Sequence, residues 1–378
     1  MLEGHLWVFS NEIEKAEPAS PGALVDIYSN QKRFLGRGFY NPHSLIAARI
    51  LTYNDEKIDQ KFLAERVKNA ALCREEIYPK ESSYRLIFGE SDFLPGLIVD
   101  RYGETFVIQS NALGMDLLFD SVLAALKEIF TVRCVVKKNN SSLRSLENLP
   151  EELKVVEGEI TEPVSITQKF GEKEIKFFVD PLRGQKTGFF FDQKENRERL
   201  KDYSEGRTVL DCFSYSGGFG LYAALSGAKE VISIDSSESA CKLLQENFQQ
   251  NGARCLTLQK DVFEALSEFQ KEKRKFDIIV LDPPALAKSK KNIFGAVRKY
   301  CKLNETALSL LNGGGVLFSS SCSHHVSKSD FIQMLKNGSL DAGKRVKLLE
   351  FRGQSRDHPV LLSMPETDYL KCAILRVE

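Results

Sequence analysis

Short apolar-rich runs broken by turn signals open the chain, and longer alternations of strand-like and helix-like segments follow. Over residues 1 to 65 the runs ALVDIYS, FLGRGFY and LIAARIL are separated by Pro-Gly and Asn-Pro, which predicts a small β-barrel. Trp7 and Phe9 stand two apart in HLWVFS and are expected to form one buried strand face. A helix is predicted from about Lys61 to Arg74. Strands LIVDRY and TFVIQS then lead into the amphipathic segment MDLLFDSVLAALKEIF and the run CVVKK, while VSITQKF and EIKFFVD flank the hairpin-like Gly171-Glu172-Lys173. Residues 66–185 therefore read as an α+β domain. From Lys186 the runs TVLDCFS, EVISIDS, CLTLQKD, DIIVLDPP and GVLFSSS alternate with helical segments. That alternation predicts an α/β, doubly wound Rossmann-like domain over 186–378, its ligand groups at the carboxyl ends of parallel strands.

Length and composition narrow the class. A chain of 378 residues exceeds one hydrophobic core, and 42% hydrophobic with 28% charged residues suits a soluble globular protein. No run of 18 apolar residues occurs, and the start lacks a basic leader with a cleavage site, so a cytoplasmic protein without a membrane partner is expected. Basic and acidic residues balance at 52 each, so a polyanion site must be a local patch. Eight cysteines never form C-x-x-C and show no finger-like spacing, which predicts free thiols and no structural metal. One thiol is unusual. Cys322 lies in SSSCSHH, Ser319 to His325, just past an apolar run, where a ligand would meet the sheet.

The Rossmann-like zone carries the other candidate chemistry. Asp211 ends a strand-like run, and glycines 217, 218 and 220 precede a helix, a turn where backbone can approach a nucleotide-type ligand. A simple tight turn would use the same glycines. Asp235 ends the next strand and suits a ribose diol; Asp261 ends the third and can accept from an adenine amine. Each acid alone equally describes a helix cap. In Asp282-Pro283-Pro284 two prolines fix the backbone and leave the aspartate facing a pocket, or serve as a rigid strand stop. Beyond it Lys288, Lys290, Lys291, Arg298, Lys299 and Lys302 run without an acid, either to neutralise phosphates or as a solvated face.

DPLRGQKTGFFFDQKENR, VLDCFSYSGGFGLYAALSGAKEVISID, FDIIVLDPP, SSSCS, SRDHPV and DYLK together resemble the S-adenosylmethionine-dependent ribosomal RNA large subunit methyltransferase I family. HLWVFSNEI and GESDFLPGLIVDRYG resemble that family's PUA-type RNA-binding barrel and its linking α+β domain. The resemblance implies methyl transfer to C5 of a cytosine in 23S rRNA, with S-adenosyl-L-methionine as cofactor; the sequence leaves the oligomeric state open, a homodimer among the options. It places Asp211, Ser216, Gly217, Gly218, Asp235, Asp261 and Val262 at the cofactor, and Asp282 where cofactor and base meet. Arg183, Gln193 and Arg197 fall in the lead-in motif, and Gln193 and Arg197 are expected to touch the cofactor.

That chemistry assigns the thiol. C5 of cytosine is a poor nucleophile until a cysteine adds to C6, so Cys322 is the expected nucleophile and Asp282 the group that hydrogen-bonds the base. His324 and His325 are candidates for removing the C5 proton, although surface or capping roles suit them as well. Cys212, in the cofactor-binding strand, is expected to pack. The chain departs from the family at Ala285-Leu286, where Lys-Phe is usual, and at Pro284, where other RNA 5-methylcytosine enzymes carry a second cysteine. It also begins almost at His5, without the usual preceding basic segment. An RNA N-methyltransferase and a non-catalytic RNA-binding scaffold are the alternatives.

Overall fold

The computed structural model describes residues 4–286 and 293–378. Two compact units emerge. One comprises the chain through Lys169 with Val179–Phe191 and Arg356–Thr367; the other comprises Phe170–Phe178, Asp192–Ser355 and Asp368–Glu378.

The first unit opens with a four-stranded antiparallel sheet in the order Trp7–Phe9, Ile46–Thr52, Phe34–Tyr40, Leu24–Tyr28. Gly38 permits the central pairing, because a Cβ there would lie 1.9 Å from the carbonyl oxygen of Arg49. The burial of the first strand reverses the expectation. Val8 is the residue turned into the cluster of Leu6, Ala48, Ile50 and Met364, while Trp7 and Phe9 share the half-buried face and meet edge to face at 6.3 Å. The Trp7 indole N–H donates to Glu90 at 2.9 Å, a polar handle that a fully buried position would have had to satisfy internally.

A five-stranded sheet follows in the order Ser83–Phe88, Leu97–Tyr102, Thr105–Ser110, Cys134–Asn139, Glu152–Glu157. Its single parallel pair joins Thr105–Ser110 to Cys134–Asn139, and the crossover between them contains the helices Leu113–Leu117 and Phe119–Ile129. Phe119–Ile129 and the helix Gln60–Ile77 bury Val122, Leu126, Phe62 and Val67 in one core with the sheet's Ile87, Val99 and Ile108. Asp59 begins the longer helix by accepting from the Phe62 N–H, the N-cap interaction that satisfies one orphan donor. Val164–Phe170 and Lys173–Val179 form a two-stranded ribbon, as the Gly171 turn predicts, and residues 170–178 of it are counted with the second unit.

The second unit is built on seven strands in the order Leu256–Gln259, Glu230–Asp235, Thr208–Cys212, Phe276–Leu281, Leu311–Ser321, Lys371–Val377, Val346–Arg352. The first five are parallel, and Lys371–Val377 runs antiparallel to both its neighbours. Strand order reverses at Thr208–Cys212, the topological switch point at which open α/β sheets bind ligands. Leu210, Ile232, Ile279 and Leu317 from the sheet share a core with Leu266, Leu303 and Phe331 from the helices. Continuous apolar runs are what a parallel sheet covered on both faces requires.

Candidate active site

Register brings the carboxyl ends of the parallel strands to one edge. Cys212 pairs with Leu281, and Leu281 with Ser319, so Asp282-Pro283 and Cys322 follow the ends of neighbouring strands. The neighbouring strand runs the other way and starts at this same edge, with Lys371 opposite Ser321. Cys322 is half-buried between buried Ser321 and Ser323, and its Sγ lies 4.0 Å from the carbonyl oxygen of Pro283.

The turn after Thr208–Cys212 is wound tightly. Phe213, Tyr215 and Gly217 have φ of +62°, +46° and +82°, and the first two are unfavourable for residues with a Cβ. Hydrogen bonds hold this conformation: Ser214 N–H donates to the Ile234 carbonyl at 2.9 Å, and Tyr215 N–H to Asp235 Oδ2 at 2.9 Å. Asn247 Nδ2 donates to the Ser216 carbonyl at 2.9 Å. A Cβ on Gly217 would come within 2.8 Å of Leu244, one on Gly218 within 2.5 Å of Arg197 Nε, and one on Gly220 within 2.7 Å of Ser233 Oγ. Close approach by neighbouring groups therefore fixes all three glycines.

Asp211 is 1% exposed. Its Oδ2 accepts from the Gly220 N–H at 2.8 Å, whereas Oδ1 is buried without a protein partner. Burial pushes this carboxyl up to about 7; the Gly220 bond opposes the shift and the nearby Asp282 charge adds to it. Asp235 accepts from Tyr215 N–H and from Ser237 N–H, leaving lone pairs on both oxygens for a ligand. Asp261 is exposed and caps its helix, with Oδ1 accepting from Phe263 and Glu264 N–H. The preceding strand stops at Gln259, so Asp261 is the helix cap that follows it. Val262 packs into the hydrophobic core, so its backbone is the part left to face a ligand.

Asp282 is half-buried. Gln193 Nε2 donates to its Oδ1 at 2.8 Å, Asn196 Nδ2 donates to Gln193 Oε1 at 2.7 Å, and Arg352 Nε donates to Asn196 Oδ1 at 3.0 Å. This relay fixes the carboxylate's orientation. Arg197 is buried, lies 5.6 Å over the Phe219 ring, and feels the charges of Asp282, Asp192 and Asp211. Arg183 belongs to the first unit, where its N–H donates to Asp180.

Lys288, Lys290 and Lys291 lie outside the described residues. Arg298 is exposed on the helix Ile293–Leu310. One turn earlier Phe294 is 85% exposed, a solvent-facing aromatic that a charge count over this segment passes by. His324 and His325 are exposed, and the His324 ring stacks on Tyr369 at 5.4 Å. Cys212 is fully buried in the core. The eight cysteines are free thiols. Among the described residues no helix is long and apolar enough to cross a membrane, and no cluster of three or more His, Cys, Asp or Glu is placed to hold a metal.

Sequence reasoning overlooked Lys371. It sits in the DYLK segment, buried, with Nζ donating to the carbonyls of Ser323 at 2.8 Å and Val326 at 2.9 Å.

Comparison with known proteins agrees with this architecture. A PUA-like domain model matches residues 1–53, and the model described as conserved hypothetical protein 95 matches residues 193–336. The chain is 38% identical to ribosomal RNA large subunit methyltransferase I of Aeromonas salmonicida, over 100% of this chain and 96% of that protein. It is 37% identical to the protein of that name from Vibrio cholerae, over 98% and 96% respectively. A Streptococcus mutans structure assigned to the SAM-dependent methyltransferases superposes with a TM-score of 0.83 at 20% identity, covering 100% of this chain and 96% of that one. A second solved structure, assigned as a methyltransferase and complexed with SAH, gives a TM-score of 0.84 at 21% identity with the same coverage.

Proposed function

Because the chain belongs to the ribosomal RNA large subunit methyltransferase I family, we propose that it methylates C5 of a cytosine in 23S rRNA through a transient bond to Cys322. S-adenosylmethionine, when bound, supplies an electrophilic methyl group. The observation that carries the reading is the thiol at the sheet edge, half-buried beside Asp282-Pro283 and 4.0 Å from the Pro283 carbonyl oxygen.

Asp211, Ser216, Gly217, Gly218, Asp235, Asp261 and the Val262 backbone are the groups that would hold the cofactor, with Gln193 and Arg197 behind them. Their chemistry fits an adenosine-bearing cation. The Asp211 Oδ1 is buried without a protein partner, an arrangement that costs free energy until a donor reaches it. Asp235 stands at the end of the second strand, where a ribose diol is ordinarily bound.

The Cys322 thiolate adds to C6, the S–C6 bond forms, and the C5–C6 electron pair moves to C5. C5, now carrying that pair, would accept the methyl group that the bound cofactor supplies, the methyl–sulfur bond breaking with its electrons kept by the sulfur of the departing thioether. A base removes the C5 proton, and those electrons restore the C5–C6 double bond as the S–C6 bond breaks. Asp282, held by Gln193, accepts a hydrogen bond from the base's exocyclic amine or N3–H during the addition. Ala285 and Leu286 follow the paired prolines, and Leu286 packs against the core, so the loop offers no aromatic for stacking at those two positions.

The test uses rRNA from cells lacking the gene, labelled S-adenosylmethionine and bisulfite mapping. Wild-type protein is expected to place 5-methylcytosine and to be trapped on RNA containing 5-fluorocytosine. Cys322→Ala is expected to do neither, with a rate loss on the order of 10³-fold or more. Persistent methylation by that variant would overturn the adduct. An N-methylated product would make the protein amine-directed, and folded protein that binds no S-adenosylmethionine in calorimetry would make it a scaffold.

A further inference from the structure

Resting on the reading of Cys322 as nucleophile, we propose that Lys371 is the positioning residue that fixes the Cys322 loop and stabilises the thiolate. Three observations converge on it. Lys371 is the first residue of the strand Lys371–Val377 and pairs with Ser321, the residue before Cys322. Its Nζ reaches across to the carbonyls of Ser323 and Val326 at 2.8 and 2.9 Å, so one ammonium ties down the backbone on both sides of a four-residue turn. It is 3% exposed, and no carboxylate is close enough to form an ion pair with it among the described residues; Asp368 instead pairs with Lys328 at 2.6 Å.

A cation this deeply placed is costly unless it has anionic or carbonyl partners. Two carbonyls account for two of its three N–H donors. The charge that acts on it most is the thiolate of Cys322, followed by Asp368 and, in the opposite direction, Lys328. Burial, with Lys328 adding to it, pulls the Lys371 ammonium down to about 8 against the charges of Cys322 and Asp368. The coupling is reciprocal: a cation stabilised by the thiolate stabilises the thiolate equally, and thiolate is the form that adds to C6. Tyr300 completes the support from the other side, its hydroxyl lying 3.0 Å from Ser321 Oγ and 3.1 Å from Ser323 Oγ. The serines of SSSCS and the lysine of DYLK thus form one mount for the sulfur.

The experiment follows the pH dependence of iodoacetamide alkylation at Cys322 in the full-length protein, read by peptide mass spectrometry so that other thiols do not contribute. Lys371→Met is expected to move the midpoint upward by about one unit, a tenfold loss of thiolate at fixed pH, and Lys371→Arg to remain near wild type. Should Lys371→Met lose its melting transition, the wild-type profile decides. Coupled ionisation of Cys322 and Lys371 spreads it beyond a single titration. An unchanged midpoint in the folded Lys371→Met variant, or a single-ionisation wild-type profile, overturns the proposal. No RNA enters this measurement, so it stands apart from the function assigned above. If Cys322→Ala still methylated RNA while Lys371→Met shifted the alkylation profile, the nucleophile reading would fall and the Lys371–Cys322 coupling would remain.

Discussion

The Gly220 N–H donates to Asp211 Oδ2 at 2.8 Å while the other oxygen of the same carboxylate is buried with no protein partner. A half-satisfied buried carboxyl has a predictable consequence for pH. Burial raises the folded pKa from 3.8 to about 7, so the native state binds more protons than the unfolded chain between those values. The stability that Asp211 contributes in its protonated form is complete below about 4 and is lost as pH rises through about 7, by up to about 4 kcal/mol. Asp211→Asn removes the titration. In ligand-free protein its melting temperature relative to wild type is expected to rise from pH 5 to pH 8; a difference that stays flat would show that Asp211 is ionised throughout.

Gly218 abuts Arg197, with the Nε 2.5 Å and the Cζ 2.8 Å from where a Cβ would stand. Arg197 is buried and stacked over Phe219, so it has little room to retreat. Gly218→Ala is expected to cost about 1–3 kcal/mol in stability and, by moving the turn, to weaken S-adenosylhomocysteine binding at least tenfold in calorimetry. Gly313→Ala is the control, since its Cβ would meet nothing within 4 Å. Equal binding by the Gly218 variant would remove this turn from the cofactor site.

The five parallel strands after Lys186 were legible in sequence, because a parallel sheet buried on both faces needs near-continuous apolar runs, whereas the antiparallel strands Val346–Arg352 and Lys371–Val377 that complete the sheet were not. Strand ends are where ligand groups sit, so the motifs and the sheet edge coincide. Trp7 was misread for a related reason: period-two spacing groups Trp7 with Phe9 but does not say which face of the strand is inside, and Val8 took the core. Lys371 was harder still. A lysine in DYLK looks solvated, and only the antiparallel return of the last strands pairs it with Ser321 and carries its ammonium to the Ser323 and Val326 carbonyls. The Arg197–Gly218 contact joins residues 21 positions apart through packing that no periodicity encodes.

Removal of residues 1 to 65 would be an unclean test of RNA binding, because Glu147 is 2% exposed and accepts from Asn41, Ser44 and Arg49. Burial would raise the Glu147 carboxyl, but the Arg49 charge and the Ser44 and Asn41 bonds outweigh it and hold the group below its usual value. A depressed pKa contributes stability above the unfolded value that is lost as pH falls through the folded one. Glu147→Ala strands Arg49 and is expected to cost about 3–5 kcal/mol, seen as a lowered melting temperature at pH 7 that narrows towards acid. Truncation before residue 66 is expected to destabilise the remainder similarly.

Phe294 and Arg298 stand four apart on one helix, the spacing that places side chains on a common face, and both are exposed. An aromatic that stays in water beside a cation suits an unpaired base stacked on the ring and a phosphate on the guanidinium. The two substitutions should separate. Phe294→Ala is expected to weaken single-stranded RNA binding by about 1–3 kcal/mol with little change in salt dependence. Arg298→Ala is expected to lower affinity across sequences and to reduce the slope of log affinity against log salt by about one. If filter binding at three salt concentrations gave both variants wild-type affinity and slope, this helix would be a solvated face, and the RNA would have to be held elsewhere.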